Sequence, residues 1–485
     1  MIPNTSNTAV SALIIAFCRI TYVEAYPFTP ECTIPPPGTS HVFAPTVRST
    51  LSIIWNCLGI IFLCTWSIQH LNIPLQRSTP DPQTSIGILK GHIIDFLEKL
   101  KWVVFTLIFP EFLFAKAVLE WCATKEGVKN HQLLRSGGAE KQARTPQWEA
   151  IHICMANAGY FVLDTGMPAS RQPSVGKIRI EDTVLRGRYW ALNNRQWISL
   201  ALENDYADLP DVDAEYLRKL DHKGGLITVL AVLQITSHII QLVSRKINKL
   251  PITQIESVAL AFAIPSILVY LLYWDHPQGV RVIHVSALNL SKLPGSSEED
   301  KIERLRKMLF RWRHAGVGPY MLTDISQPDQ PDPDEGPVPI PNNCVPLREF
   351  LHANGAAKTD GSDMFYKGAI PFLGGGGVHG MIFGGLHILA WDSIYHTRVE
   401  QICWRVSSIV VTVIPFIAFA STMLGFKMED VYPRYQRLHG PFFIGLAIIY
   451  MIARLFLMVE MFISLAYLPP EAFKTTWAGL LPHWG

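Results

Sequence analysis

Phosphate-cradling and hydrolytic signatures are missing from this sequence. It contains no Walker-type glycine–lysine loop, no GxGxxG dinucleotide fingerprint, no GxSxG nucleophile elbow and no HExxH pair. Their absence argues against ATP-driven transport, nicotinamide redox chemistry and serine hydrolysis. It leaves room for chemistry that needs no cofactor. No charge of one sign accumulates either. The net charge is +2, with no basic tail and no zinc-type Cys/His spacing, so neither a nucleic-acid partner nor a bound metal is implied. The one low-complexity tract is the Pro/Asp linker QPDQPDPDEGPVPIP, which cannot hold regular structure. Most of the eight cysteines lie in or beside apolar stretches. Cys32 and Cys344 stand in soluble ones and form the pair to watch for a disulfide.

What the sequence does have is apolar residues gathered in blocks of roughly 20, the signature of a bilayer rather than of a soluble core. The block around which the chain is organised is Ile370–Trp391, IPFLGGGGVHGMIFGGLHILAW, free of Asp, Glu, Lys and Arg. It carries four consecutive glycines from Gly374, a further pair at Gly384 and Gly385, and the histidines His379 and His387. In a membrane bundle, glycine lets a neighbouring backbone or a ligand come close. A histidine at that depth faces the bundle interior or a cavity. The block therefore reads as an inner helix beside an intramembrane pocket.

Taken in order, residues 1–25, with a short apolar run at 9–25, are either a secretory signal peptide or a first anchor. Spans are expected at 51–68 and 102–121, as a pair at 226–243 and 255–274, and at 370–391, 406–424 and 441–468. The expected fold is all-α: a polytopic transmembrane bundle of about seven spans. Two long polar loops, 123–225 and 275–369, interrupt it. Within the first loop, 148–164 reads as a re-entrant or packed helix. The segment GILKGHIIDFLEKLKW reads as an amphipathic helix at the interface. Short-loop charges divide eight to four when Lys90, Lys99, Lys101, Arg245, Lys246, Lys249 and Arg398 are counted on one side with Arg77. That bias makes this set cytoplasmic and both long loops lumenal. The sequon at Asn289 then falls in the lumen as a glycosylation acceptor.

Several residues can carry chemistry. Glu111 follows Pro110 inside a span, where a carboxyl needs a partner; it is either a general acid or a hydrogen-bond partner for the carbonyl that proline frees. Asp275, beside Trp274 at the end of a span, is suited to protonating an olefin or epoxide, with aromatic faces stabilising the cation. The alternative is an interfacial helix end, where Trp and polar groups gather anyway. His387 is either a relay or a satisfied packing residue. Trp391, His379, Gly384 and Gly385 are the remaining pocket candidates. Arg454 and Glu460, on different faces of the last span, each call for a partner on another helix. Glu149 and His152 share a helix face as an ion pair or a catalytic pair. The acid-rich run at 203–215 is too irregular for a magnesium–diphosphate motif and reads as loop and helix cap.

Several phrases resemble a large group of polytopic fungal membrane proteins. They include RSTLSIIWNCLGIIFLCTWSIQHLNIP, LPITQIESVALAFA, MIFGGLHILAWDSIYHTRVEQICWR and FISLAYLPPEAFKTTWAGLLPHW. The likeness runs in order over most of the chain. It departs at the end of the fourth span, where the group pairs Trp with Lys-Pro and this chain has Tyr273-Trp274-Asp275-His276-Pro277. Some polytopic proteins of fungal secondary-metabolite clusters act as terpene or meroterpenoid cyclases. By that analogy the resemblance implies an endomembrane enzyme, cofactor-free, acting as a cyclase, lyase or isomerase on a lipophilic terpenoid or polyketide. It further implies membrane lipids and other biosynthetic enzymes as partners. The rivals are a metabolite exporter and a non-catalytic receptor or scaffold.

Overall fold

The fold is described from a computed structural model, over residues 47–73, 85–137, 145–165, 189–220, 225–280, 282–311, 323–324, 362–428 and 433–477. The expectations for residues 1–25, Cys32, Cys344 and the Pro/Asp linker lie outside these residues. Twelve α-helices carry the described chain: α1 Thr50–Ser67, α2 Ser85–Ile108, α3 Pro110–Arg135, α4 Ala150–Asn157, α5 Asn194–Ile198 and α6 Ala214–Leu220. They continue with α7 Gly225–Ile247, α8 Gln254–Leu272, α9 Glu298–Arg311, α10 Ser362–His387, α11 Arg398–Met428 and α12 Pro433–Ile463. Among the described residues, five helical stretches are long and apolar enough to cross a bilayer. They lie in α1, α8, α10, α11 and α12. A bent pair, Lys99–Ile108 with Pro110–Arg135, makes a sixth if counted as one span.

The bundle is built around α8. Its start is set by a capping box, in which Thr253 and Glu256 satisfy each other's backbone N–H groups. Small residues along it, Ser257, Ala259, Ala261 and Ala263, are buried. They let α1, α10 and α12 pack closely around it. By contrast α11 and α12 present Val406, Ile409, Phe416, Ile444, Ile448 and Ile452 outward. An apolar outer face of that extent fits contact with lipid.

The expected second span is not one helix. Pro110, which lacks the N–H that would continue α2, starts a new helix bent by 109° from the first. The fold is also not purely helical. Strands β1 Phe161–Asp164, β2 Tyr189–Ala191, β3 His284–Ala287 and β4 Thr323–Asp324 form one sheet in the order β3-β1-β2-β4. Leu163 lies opposite Trp190 in the antiparallel β1–β2 pair, and opposite Ser286 in the parallel β1–β3 pair. The apolar piece 148–164 is thus a packed helix, α4, followed by a buried strand. Gly159 ends the helix with φ at 87°, a conformation glycine adopts without cost.

Because β3 follows α8 while β1 precedes α7, the two polar loops are joined in one α/β subdomain. Its core includes Trp148, Trp190, Trp197, Phe161, Leu217 and Leu305. Burying each tryptophan is worth about 4–6 kcal/mol. Their indole N–H groups are satisfied where it counts: Trp148 donates to the Pro210 carbonyl at 3.0 Å and Trp197 to Phe161 at 3.3 Å. The C-terminal half of α3 leaves the bundle and packs into this subdomain. Gly127 on α3 is so close to Asn194 and Ile153 that a Cβ would lie 2.1 Å from the Asn194 amide nitrogen.

Candidate active site

The glycines of α10 set its neighbours. A Cβ on Gly375 would lie 3.1 Å from Ala115 and Val118 of α3; one on Gly384 would lie 2.5 Å from the Thr412 backbone nitrogen of α11. These glycines admit helices. At Gly384 the space expected for a substrate is filled by Thr412, whereas a Cβ at Gly385 would meet nothing within 4 Å.

The close approach of α3 to α10 brings Glu111 to His379. Glu111 sits in the first turn of α3, where the helix N-terminus favours negative charge. Its Oε1 is 3.9 Å from His379 Nδ1, close enough for electrostatic coupling and too long for a hydrogen bond. From α12, Arg454 and Tyr450 reach the same place, one turn apart. Arg454 is 1% exposed and donates through Nη2 to the Leu107 carbonyl at 3.1 Å. Its guanidinium lies over the Phe383 ring at 4.0 Å and acts electrostatically on Glu111 and Tyr450. The Tyr450 hydroxyl faces the Glu111 carboxyl. Phe114 and Phe383 flank the His379 ring at 5.4 and 5.5 Å.

Among the described residues, Glu111 Oε1, His379 Nδ1, the Tyr450 hydroxyl and Arg454 Nε are all buried without a hydrogen-bond partner. Each such atom costs about 1–3 kcal/mol, so four in one place are far from the usual outcome of packing. A carboxyl, an imidazole, a phenol and a guanidinium converging in an apolar surround can give, hold and return a proton.

The other expected residues fall elsewhere. His387 lies two turns along α10, donates from Nδ1 to the Phe383 carbonyl at 2.7 Å, and is buried against Trp404. It meets the cluster through the Phe383 ring, 4.8 Å away, and not by a hydrogen bond. Trp274 is 76% exposed and Asp275 is exposed beside it. The buried members of Tyr273-Trp274-Asp275-His276-Pro277 are Tyr273, His276 and Pro277. Trp391 stacks under Arg405 at 4.9 Å, and Arg405 also donates to its carbonyl. Asn289 is exposed, its side chain accepting from the Ser291 N–H. Glu149 pairs with Arg218 at 2.8 Å and not with His152. The His152 ring instead accepts from the Glu149 N–H and donates to the Val212 carbonyl at 2.7 Å. Burial holds its pKa below the ordinary value, against the opposing pull of the Val212 carbonyl and Glu149. In the acid-rich run, Asp213 caps the α6 N-terminus through the Tyr216 N–H.

A second buried group escaped the sequence reading. On the opposite face of α3, Lys116 lies 3.4 Å from Glu120 and donates to the His70 carbonyl at 2.8 Å. His276 approaches Glu120 at 3.4 Å, and the rings of His70, Tyr273 and His276 pack together. The i, i+4 spacing of Lys116 and Glu120 inside an apolar block was the available signal. With Gln278, which donates to the Ser67 and Gln69 carbonyls, Lys116 closes the C-terminus of α1. No group of three or more His, Cys, Asp or Glu residues is arranged as metal ligands among the described residues.

The profile of a family of unknown function, DUF8562, matches residues 25–292, more than half of the chain. The chain belongs to that family. No curated protein and no solved structure matches it. The matched segment contains Glu111 and the whole Lys116–Glu120–His276 group. His379, Tyr450 and Arg454 lie beyond it.

Proposed function

We propose that the chain is a membrane-embedded acid–base enzyme of fungal specialised metabolism, a cofactor-free isomerase or cyclase acting on a lipophilic terpenoid or polyketide. The observation that carries this reading is the convergence of Glu111, His379, Tyr450 and Arg454 with four buried polar atoms left unpartnered. Glu111 donates the proton that starts the reaction, and Arg454 stabilises the carboxylate left behind. His379 takes up the proton that the substrate later releases and returns it to Glu111. Phe114 and Phe383, which already flank an imidazole and a guanidinium, present ring faces to a developing cation. Asp275, being exposed, is not assigned the acid's role, and Trp274 and Trp391 are not assigned the walls. An endomembrane location and neighbouring biosynthetic enzymes follow from the same analogy with metabolite clusters.

The test is turnover by microsomes in deuterated water, with a panel of polyprenyl and polyketide substrates and no added nucleotide. A product carrying one carbon-bound deuterium is expected. Glu111→Gln should lower its rate by about 10²–10⁴-fold. Asp275→Asn should leave it unchanged. Full activity in Glu111→Gln removes the proposed acid.

One observation favours a second reading, a proton-coupled carrier. The helix break directly before Glu111 has the form of a broken span at a carrier's binding site. Uptake of unchanged substrate into sealed vesicles, driven by a pH gradient and without deuterium incorporation, decides for it.

A further inference from the structure

The ends of the bundle helices sort into two levels. At one level Arg48, before α1, pairs with Glu256 in the first turn of α8. There Gln254 donates to the Ile394 carbonyl beyond α10, and Ser393 donates to Ile252. Arg245, near the end of α7, donates to the Ala472 and Lys474 carbonyls beyond α12. At the other level the chain beyond α1 joins the α/β subdomain, the Ile73 N–H bonding to the Ala158 carbonyl. Gln278, beyond α8, ties to the end of α1 there. On this ladder the five stretches in α1, α8, α10, α11 and α12 alternate in direction once α7, 23 residues and so about 34 Å long, is counted as a crossing beside them.

The α2–α3 pair does not fit as a further rung. The Trp66 ring, at the subdomain end of α1, packs at a tilt against Phe96 of α2, 5.3 Å away, and lies under Lys99. Gln69, just beyond α1, donates to Thr106 at 2.8 Å. Most of α2 therefore stays at the subdomain level. Only its last turn descends, where the Leu107 carbonyl meets Arg454. From Glu111, opposite His379, α3 climbs back past Gly375 to the His70 carbonyl and into the subdomain. A bend of 109° exceeds a right angle, so α3 returns toward the side that α2 came from. His379 lies about 13 Å along the Ile370–Ala390 stretch, near the middle of a hydrocarbon core about 30 Å thick. On α2 itself, Ile93, Phe96, Leu97 and Val104 form one exposed apolar stripe, each about half accessible.

We propose that α2 docks on the bilayer surface of the subdomain side, its Ile93–Phe96–Leu97–Val104 stripe seated in lipid. In this arrangement α2–α3 is a re-entrant hairpin whose tip carries Glu111 to mid-bilayer. The chain then crosses six times, where seven crossings were expected. Arg48 joins Arg245 and Lys246 on the far side, and Lys90, Lys99 and Lys101 move to the subdomain side. The eight-to-four charge bias evens out, and with it the argument from charge for which side is cytoplasmic. Only the description of Glu111 as an acid rests on the proposed function; the topology stands on the contacts alone.

The experiment adds one exposed cysteine at a time: His92→Cys on α2, Glu215→Cys in the subdomain and Lys246→Cys at the end of α7. Sealed microsomes are treated with a membrane-impermeant maleimide before and after permeabilisation, and peptide mapping separates new labels from native ones. His92→Cys and Glu215→Cys should label from one side and Lys246→Cys from the other. Labelling of His92→Cys together with Lys246→Cys makes α2–α3 a true crossing and overturns the proposal. So does Lys246→Cys on the side of Glu215→Cys, or a His92→Cys reached only by a lipid-soluble reagent. Loss of the enzymatic reading would leave this labelling pattern unchanged.

Discussion

Gly384 and Gly385 are adjacent in sequence, yet a methyl group at each meets opposite surroundings. At Gly384 the added Cβ would lie 2.3 Å from Thr412 Oγ1, 2.5 Å from its nitrogen and 2.7 Å from its Cα. Rotating the threonine side chain relieves only the first of these. The other two are backbone of α11, so the helices must separate by roughly 1 Å, along the closest interface that α10 makes. Overpacking of that kind costs about 1–3 kcal/mol. At Gly385 nothing lies within 4 Å, and alanine there gains about 0.5–1 kcal/mol from its higher helix propensity. Thermal unfolding of the two variants in detergent, followed by tryptophan fluorescence, should therefore split them by about 1.5–4 kcal/mol in opposite directions from the parent. Equal stabilities for Gly384→Ala and Gly385→Ala would refute the claim that α10 glycines exist to admit α11.

The Glu111–Arg454 pair should behave as a unit. Arg454→Met alone should cost about 1–3 kcal/mol, because the buried Leu107 carbonyl loses its donor, and a double-mutant cycle with Glu111→Gln should show non-additive losses. Additive losses would mean that the two groups are not coupled. Since the fold depresses the His152 pKa, the neutral ring is the folded form. Its contribution to stability is present above the unfolded value of about 6.5 and lost as pH falls below it. Unfolding midpoints measured between pH 7.5 and 5.5 should fall, with a shallower slope in His152→Asn; an unchanged slope assigns the effect elsewhere. Arg245→Ala should release the segment around Ala472–Lys474, seen as faster hydrogen exchange and proteolysis there while the subdomain stays protected. A glycan on Asn289 would decide the sidedness that the charges do not: an endoglycosidase-sensitive mobility shift that Asn289→Gln abolishes places the subdomain in the lumen.

What was legible in the sequence was whatever a single segment decides by itself. Apolar blocks near the length of a bilayer stand out against polar loops, and the membrane helices lie where those blocks are. Proline at 110 announced a break, and glutamate beside it announced a missing partner, but the partners come from α10 and α12, hundreds of residues downstream. Nothing local selects His379 over His387, since both sit on one face of α10 and only the approach of α3 distinguishes them. The sheet was hidden for a similar reason. Its strands are two to four residues long, and β1 finds β3 only after α7 and α8 have gone out and returned. The Tyr273–His276 stretch is different, because helical phase was available there. Residues three apart share a face, so Tyr273 and His276 turn in together toward Glu120 while Trp274 and Asp275 turn out. Choosing Asp275 for its acidity overrode that geometry. The same phase rule applied to α3 places Lys116 and Glu120 opposite Glu111. One helix therefore keeps two buried ionic groups apart, and each holds a carboxyl oxygen without a hydrogen-bond partner, Glu120 Oε2 in one and Glu111 Oε1 in the other. Lys116 ties the first to the end of α1, whereas the second sits at the helix break beside Pro110, and that place makes Glu111 the residue to perturb first.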